Sequence, residues 1–245
     1  MRTIYLDIGN STITFSEIIE KKWKVLSKTE IEEVLPDFLQ GEGDVQIVTS
    51  SVRKELLNKL SNHYPDIDIN VITHTEISPE YLAYETPNTL GIDRFLVCLG
   101  AVNYRQRDVI VVDAGSACTV DFMNSEKVYR GGVIMPGLQV LHNSVRDYLP
   151  ELPPVDRKLP EKWPGNTTQN CLKWGLNGTF IGSIEQFILK MKKLAPNAQT
   201  WITGGDGKWV AKNINPDMNP IYAPDLIFEG MKAFVEEKKN RALSD

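Results

Sequence analysis

One local pattern occurs twice in this chain. Ile4-Tyr5-Leu6-Asp7-Ile8-Gly9-Asn10-Ser11 is an apolar run, then Asp-x-Gly, then small polar residues, then a second alternating segment at 11–19. Val109-Ile110-Val111-Val112-Asp113-Ala114-Gly115-Ser116-Ala117-Cys118-Thr119 repeats that order. Asp7 and Asp113 stand 106 residues apart, nearly half of the 245-residue chain. A strand, tight turn and strand at the head of each half predicts a duplicated α/β fold.

The chemistry of such a turn is specific. Glycine lets backbone come close to a phosphate. Turn amides and the side chains of Asn10, Ser11, Ser116 and Thr119 are donors for phosphate oxygens. A bare carboxylate beside a polyphosphate is repelled, so Asp7 and Asp113 make sense if a cation such as Mg²⁺ lies between. The plain alternative is a hairpin turn in each case. Two such turns at equivalent places weigh against it.

A second feature is Tyr84-Glu85-Thr86-Pro87-Asn88-Thr89-Leu90-Gly91-Ile92-Asp93-Arg94, followed by an apolar helical pattern through Tyr104. Thr89 is the expected cap of that helix, with Asp93 and Arg94 in its first turn. One reading makes Asp93 a general base and Arg94 a bidentate anchor for a substrate carboxylate. The other makes Asp93 a dipole partner and Arg94 a surface residue. Two Gly-rich segments follow. Gly131–Gly137 is read as a loop entering a helix, a place suited to an anion or to ordinary turn chemistry. Thr203–Gly207 offers close backbone approach to an adenine or ribose.

Composition narrows the function classes. Lys plus Arg is 27 and Asp plus Glu is 32, a net charge of −5. That argues against gripping nucleic acid or an anionic membrane. No apolar run approaches the roughly 20 residues of a membrane span. The opening residues turn polar after Leu6, too early for a signal-peptide core, so a cytoplasmic location is expected. Cys98, Cys118 and Cys171 are odd in number and widely spaced, which predicts neither a disulfide framework nor a zinc site. Remaining strands are expected at 22–26, 45–49, 67–72, 118–124, 127–134 and 200–203. Helices are expected at 30–39, 52–60, 137–149 and 225–240, and 167–194 reads as one long helix or as two with a break near Gly175–Gly178. The Pro-rich stretch 150–164 reads as an ordered crossing or flap.

Taken in order, DIGNS (7–11), YETPNTLGIDR (84–94), DAGSACTVD (113–121), GGVIMPG (131–137), Thr168 with Gly175, TGGDG (203–207) and PDLIFEGM (224–231) resemble the type III pantothenate kinases, within the superfamily of acetate and sugar kinases, actin and heat-shock chaperone ATPases. The resemblance implies two ribonuclease-H-like (actin-like ATPase) domains, 1–110 and 111–245, with the active-site cleft between them and the dimer interface on the second. It implies ATP-dependent phosphorylation of pantothenate, the first step of coenzyme A synthesis, by a homodimer using Mg²⁺ and a monovalent cation, K⁺ or NH₄⁺. Asp93 falls on the catalytic base. Tyr84, Gly91, Ile92 and Arg94 fall on the pantothenate pocket, and Thr168 on a residue reaching the partner subunit's pocket. Asp7, Ile8, Gly9, Asn10 and Ser11 fall on the first phosphate motif. Gly115, Ser116, Ala117 and Thr119 fall on the second, and Asp113 on the monovalent-cation ligand. The family's first turn more often reads Gly-Asn-Thr with a Lys on the next strand; Thr12 and Thr14 stand here instead.

Overall fold

Strand β1 (Arg2–Ile8) puts Ile4, Leu6 and Ile8 into an apolar core with Ile13, Phe15 and Ile47. Tyr5, on its opposite face, is buried as well, as a strand inside a sheet requires. The computed structural model describes residues 2–9, 13–19, 22–28, 44–51 and 54–243. The helix expected at 30–39 and the turn residues Asn10 and Ser11 lie outside them.

The first sheet has the order β3-β2-β1-β4-β5. Its other strands are β2 (Ile13–Ile19), β3 (Lys22–Lys28), β4 (Val45–Ser51) and β5 (Asp68–Ile72). β1, β2 and β3 pair antiparallel, whereas β1, β4 and β5 pair parallel. The second sheet has the order β10-β9-β6-β7-β8. It consists of β6 (Val109–Ala114), β7 (Ala117–Met123), β8 (Tyr129–Pro136), β9 (Gln199–Thr203) and β10 (Ile221–Tyr222). β6 pairs antiparallel with β7 and parallel with β9, and β9 parallel with β10. Strand for strand, β6-β7-β8-β9-β10 repeats the arrangement of β1-β2-β3-β4-β5. Asp7 lies opposite Thr14, and Asp113 opposite Thr119, so the two Asp-x-Gly turns also hold equivalent places. The duplication expected from the repeated turn is present.

The described helices are α1 (Lys54–His63), α2 (Ile92–Arg105), α3 (Leu138–Tyr148), α4 (Thr168–Lys173), α5 (Thr179–Leu194), α6 (Gly207–Asn213) and α7 (Leu226–Ala242). A π-turn, Trp174–Gly178, joins α4 to α5, so the expected break is a widening rather than an interruption. No described helix is long and apolar enough to cross a membrane.

The chain forms two units. One comprises Met1–Gln106, Glu126–Tyr129 and Asp225–Asp245; the other comprises Arg107–Ser125 and Arg130–Pro224. A single cut at 110/111 therefore does not describe the chain. Helix α7 belongs to the first unit, where it packs on α2 with Phe234 edge-on to Phe95, ring centroids 6.3 Å apart. Burial of its apolar stripe, which includes Leu226, Phe228, Met231 and Phe234, outweighs nearness in sequence. The second unit has its own core, in which Val112 and Val120 of the sheet meet Phe180, Ile184 and Ile188 of α5.

The stretch 150–164 is tied down by hydrogen bonds, as an ordered segment would be. Asn177, fully buried in the π-turn, donates to the carbonyls of Asp156 and Lys158 at 3.0 and 3.2 Å. Its Oδ1 lies 2.8 Å from Nε2 of His142, so that ring nitrogen carries the proton.

Candidate active site

In the first unit, Asp7 sits at the carboxyl end of β1 beside Ser50 of the parallel strand β4. The carboxyl ends of parallel strands are where α/β sheets bind ligands. Ser50 Oγ donates to Asp7 Oδ1 at 3.3 Å. Burial, and then the charge of Asp93, pushes the Asp7 carboxyl up to about 7, against a smaller lowering by Ser50. Asp7 and Asp93 therefore share one neighbourhood although 86 residues separate them.

Asp93 and Arg94 occupy the first turn of α2, as expected. The cap is not Thr89. That residue ends a short 3₁₀ turn, Pro87–Thr89, where its hydroxyl donates to the Thr86 carbonyl at 2.9 Å. The helix starts from Gly91, in an extended conformation. A Cβ at Gly91 would stand 2.5 Å from Asp93 Oδ1, so the Asp93 carboxylate folds back over the glycine. Ile92 is buried beneath. Arg94 is only 7% exposed, which excludes the surface reading. Its guanidinium lies 5.8 Å from the centre of the Tyr129 ring. Tyr84 meets the same ring edge-on, centroids 5.7 Å apart. Tyr84, Arg94, Asp93 and Asp7 are thus elements of one unit. Sequence reasoning missed Tyr129, because an aromatic residue at the head of an alternating strand reads as core.

In the second unit the turn Gly115–Ala117 connects β6 to β7, with the Gly115 amide donating to the Ala117 carbonyl at 3.1 Å. Gly137, at the start of α3, donates to the Ser116 carbonyl at 3.0 Å. The turn therefore adjoins a helix N-terminus, an arrangement that suits phosphate. The segment 131–137 is not the expected loop: all but Gly137 belongs to β8. Its glycines serve the sheet, and the turn beside the helix N-terminus is 115–117.

The turn 203–207 lies against Asp113. Gly204 has φ of +89°, and a Cβ there would collide with Asp113 Oδ1 and stand 2.6 Å from the Ala114 carbonyl. Only glycine meets both demands. The Asp206 amide donates to the Ala114 carbonyl at 2.8 Å. Arg157 from the crossing segment pairs with Asp206 at 2.5 Å and donates to Gln139 of α3 at 2.7 Å. Opposite Asp113, Thr119 Oγ1 is buried without a hydrogen-bond partner. An orphaned hydroxyl, a carboxylate and nearby carbonyls form an all-oxygen donor set, which fits a hard cation. Among the described residues no group of three or more His, Cys, Asp or Glu side chains could hold a metal. A cation here therefore completes its shell with oxygens from elsewhere, as Mg²⁺ does with phosphates and water.

Thr167 caps α4, accepting from the Asn170 amide at 3.2 Å. The neighbouring Thr168 is exposed.

The family profile of type III pantothenate kinases matches residues 3–190. The chain belongs to that family. It is 30% identical over 245 aligned residues to a type III pantothenate kinase of Flavobacterium psychrophilum, spanning 96% of this chain and 98% of the relative. It is 28% identical to one of Flavobacterium johnsoniae, over 89% of this chain and 90% of the relative. Among solved structures, a Campylobacter jejuni protein described as a candidate Baf family transcriptional activator superposes with a TM-score of 0.63 at 26% identity, over 97% and 99% of the two chains. A candidate 2-dehydro-3-deoxygalactonokinase of Sinorhizobium meliloti has a TM-score of 0.54 at 12% identity, over 96% and 98%, and shows the fold alone. This type III pantothenate kinase family member is accordingly a kinase with the duplicated actin-like ATPase fold.

Proposed function

We propose that the chain phosphorylates pantothenate with ATP, the entry reaction of coenzyme A synthesis, with Asp93 as general base. The observation that carries this is the pairing of Asp93 with a buried Arg94 on the first turn of α2, beside Asp7 and Tyr84. A carboxylate and a planar guanidinium on successive residues suit a substrate with a hydroxyl at one end and a carboxylate at the other. A sugar kinase has no such need for Arg94.

Phosphoryl transfer has a loose transition state, so the protein supplies position and charge. The turns 7–11 and 115–119 hold the phosphates through amides and small polar side chains. Mg²⁺ arriving with ATP, held near Asp7 directly or through water, would supply positive charge against the phosphates and the leaving oxygen. Arg94 grips the pantothenate carboxylate and thereby aligns the far hydroxyl. Asp93 orients that hydroxyl and takes its proton late, because a carboxylate is far too weak a base to ionise an alcohol beforehand. Asp113, with the orphaned Thr119 hydroxyl opposite, is assigned a monovalent cation, K⁺ or NH₄⁺. The chain acts as a cytoplasmic homodimer, with Thr168 reaching the partner subunit's pocket. The capping role of Thr167 leaves Thr168 as the available hydroxyl. The net charge of −5 supports small-molecule partners over nucleic acid or membrane.

The test is a coupled ADP-release assay with ATP, Mg²⁺ and pantothenate, run with K⁺ and again with Na⁺. Pantothenate-dependent turnover that rises with K⁺ supports both the reaction and the Asp113 assignment. Turnover indifferent to K⁺ keeps the reaction and removes the cation from Asp113. Folded protein that releases no ADP in response to pantothenate sinks the proposal.

A further inference from the structure

We propose that Tyr129 is a positioning residue for the pantothenate end of the site, its ring holding Arg94 and Tyr84 in place; this rests on the pantothenate reading above. The chain lends only four residues, Glu126–Tyr129, from the midst of the second unit to the first. Lys127, at φ +63°, turns that excursion and pairs with Glu237 of α7. Tyr129 ends it, fully buried.

Three groups meet at this residue. The Tyr129 carbonyl accepts the Ala83 amide at 3.0 Å, and Leu82 forms a parallel bridge with Tyr129. That fastens the backbone just before Tyr84. The ring then meets Tyr84 edge-on at 5.7 Å and Phe95 at 6.4 Å. The Arg94 guanidinium faces the ring at 5.8 Å. An apolar filler of the same volume would satisfy the core, but it would give a desolvated guanidinium nothing. A π face attracts it, most strongly where water is scarce. Arginine recognises a carboxylate through a fixed fork, so a guanidinium held in one orientation binds better than one that wanders. Tyr129 itself touches no reacting atom in this account. It acts through Tyr84 and Arg94.

The test compares wild type, Tyr129→Leu and Tyr129→Phe, with KM measured separately for pantothenate and ATP. The Leu variant is expected to raise the pantothenate KM about 10-fold or more, the size of a buried cation–π loss. Its ATP KM should stay within about twofold, a margin too small for a lost contact. Tyr129→Phe, which keeps the ring, should restore the pantothenate KM to within about threefold. An unchanged pantothenate KM in the Leu variant, or an equal rise in both KM values, overturns the proposal while the kinase reading stands. Should the Leu variant not fold, Tyr129→Met takes its place. If neither folds while the Phe variant is normal, the ring serves the core alone and the proposal is lost. A wild type that gives no pantothenate-dependent ADP release removes the reading and this inference together.

Discussion

Burial, and then the nearby charge of Asp93, push the Asp7 carboxyl up to about 7. The two carboxylates come from the end of the first strand and the start of α2, and their repulsion is a cost that the ligand-free protein carries. Such a pair is at home where a bound cation or a transferring proton later relieves it.

The raised value makes ligand-free stability depend on pH. Folding takes up a proton at Asp7 between the unfolded value, about 3.9, and the folded value. The contribution is fully present below pH ~4 and is lost as the pH rises through about 7. Asp7→Asn should therefore stabilise the ligand-free chain at pH 8 by up to about 4 kcal/mol, roughly three pKa units at about 1.4 kcal/mol each, with the gain vanishing near pH 4. Urea denaturation across that range reads the slope directly. A variant with the wild-type slope would contradict the assignment.

Asp93→Asn should lower turnover at least about 100-fold, the typical share of a positioned proton acceptor, with a melting temperature no lower than that of the wild type, since the variant loses the repulsion with Asp7. Steady-state kinetics beside a thermal melt decides it. A mutant that keeps most of its kcat takes Asp93 out of the base role.

Gly91→Ala isolates geometry from chemistry. The backbone there, φ −62° and ψ 121°, accepts any residue, so strain is absent. The new methyl would instead push on Asp93 Oδ1, 2.5 Å away. Turnover should fall on the order of 10- to 100-fold, since a displacement near 1 Å costs about that much. Stability should change by less than about 1 kcal/mol. Equal kcat in the two proteins would mean that Asp93 works from another rotamer.

Thr167 and Thr168 should separate cleanly. Thr167→Ala removes the cap of α4 and should cost about 1 kcal/mol of stability while leaving the pantothenate KM alone. Thr168→Ala should do the reverse. The same effect from both would point to the helix rather than to either hydroxyl.

Asn177→Ala should destabilise by about 2–3 kcal/mol, because it strands His142 and two carbonyls of the crossing segment. Chemical denaturation measures it, and a loss under about 0.5 kcal/mol would show that water replaces the side chain.

Much of this molecule was legible before any coordinates. β1 and β6 are legible because strands buried on both faces write themselves as unbroken apolar runs, and the Asp-x-Gly turns because their glycines punctuate those runs. The first turn of α2 was legible to within the cap. Thr89 misled there because its hydroxyl has a nearer acceptor, the Thr86 carbonyl. The segment 131–137 misled because glycine serves a strand packed against its neighbour as readily as a loop.

The duplicated strand–turn–strand units, the placing of Asp93 and Arg94 in the first turn of a helix, and the family could all be read from the chain alone. Those are local patterns, in which a residue's role follows from its neighbours in the chain. Only the tertiary structure decided that α7 returns to the first unit, that Tyr129 sits between Tyr84 and Arg94, that Asn177 clasps residues 156–158, and that Asp7 meets Asp93. Each joins residues far apart in the chain. Apolar burial drives such meetings without direction, so only the finished packing says which residues meet.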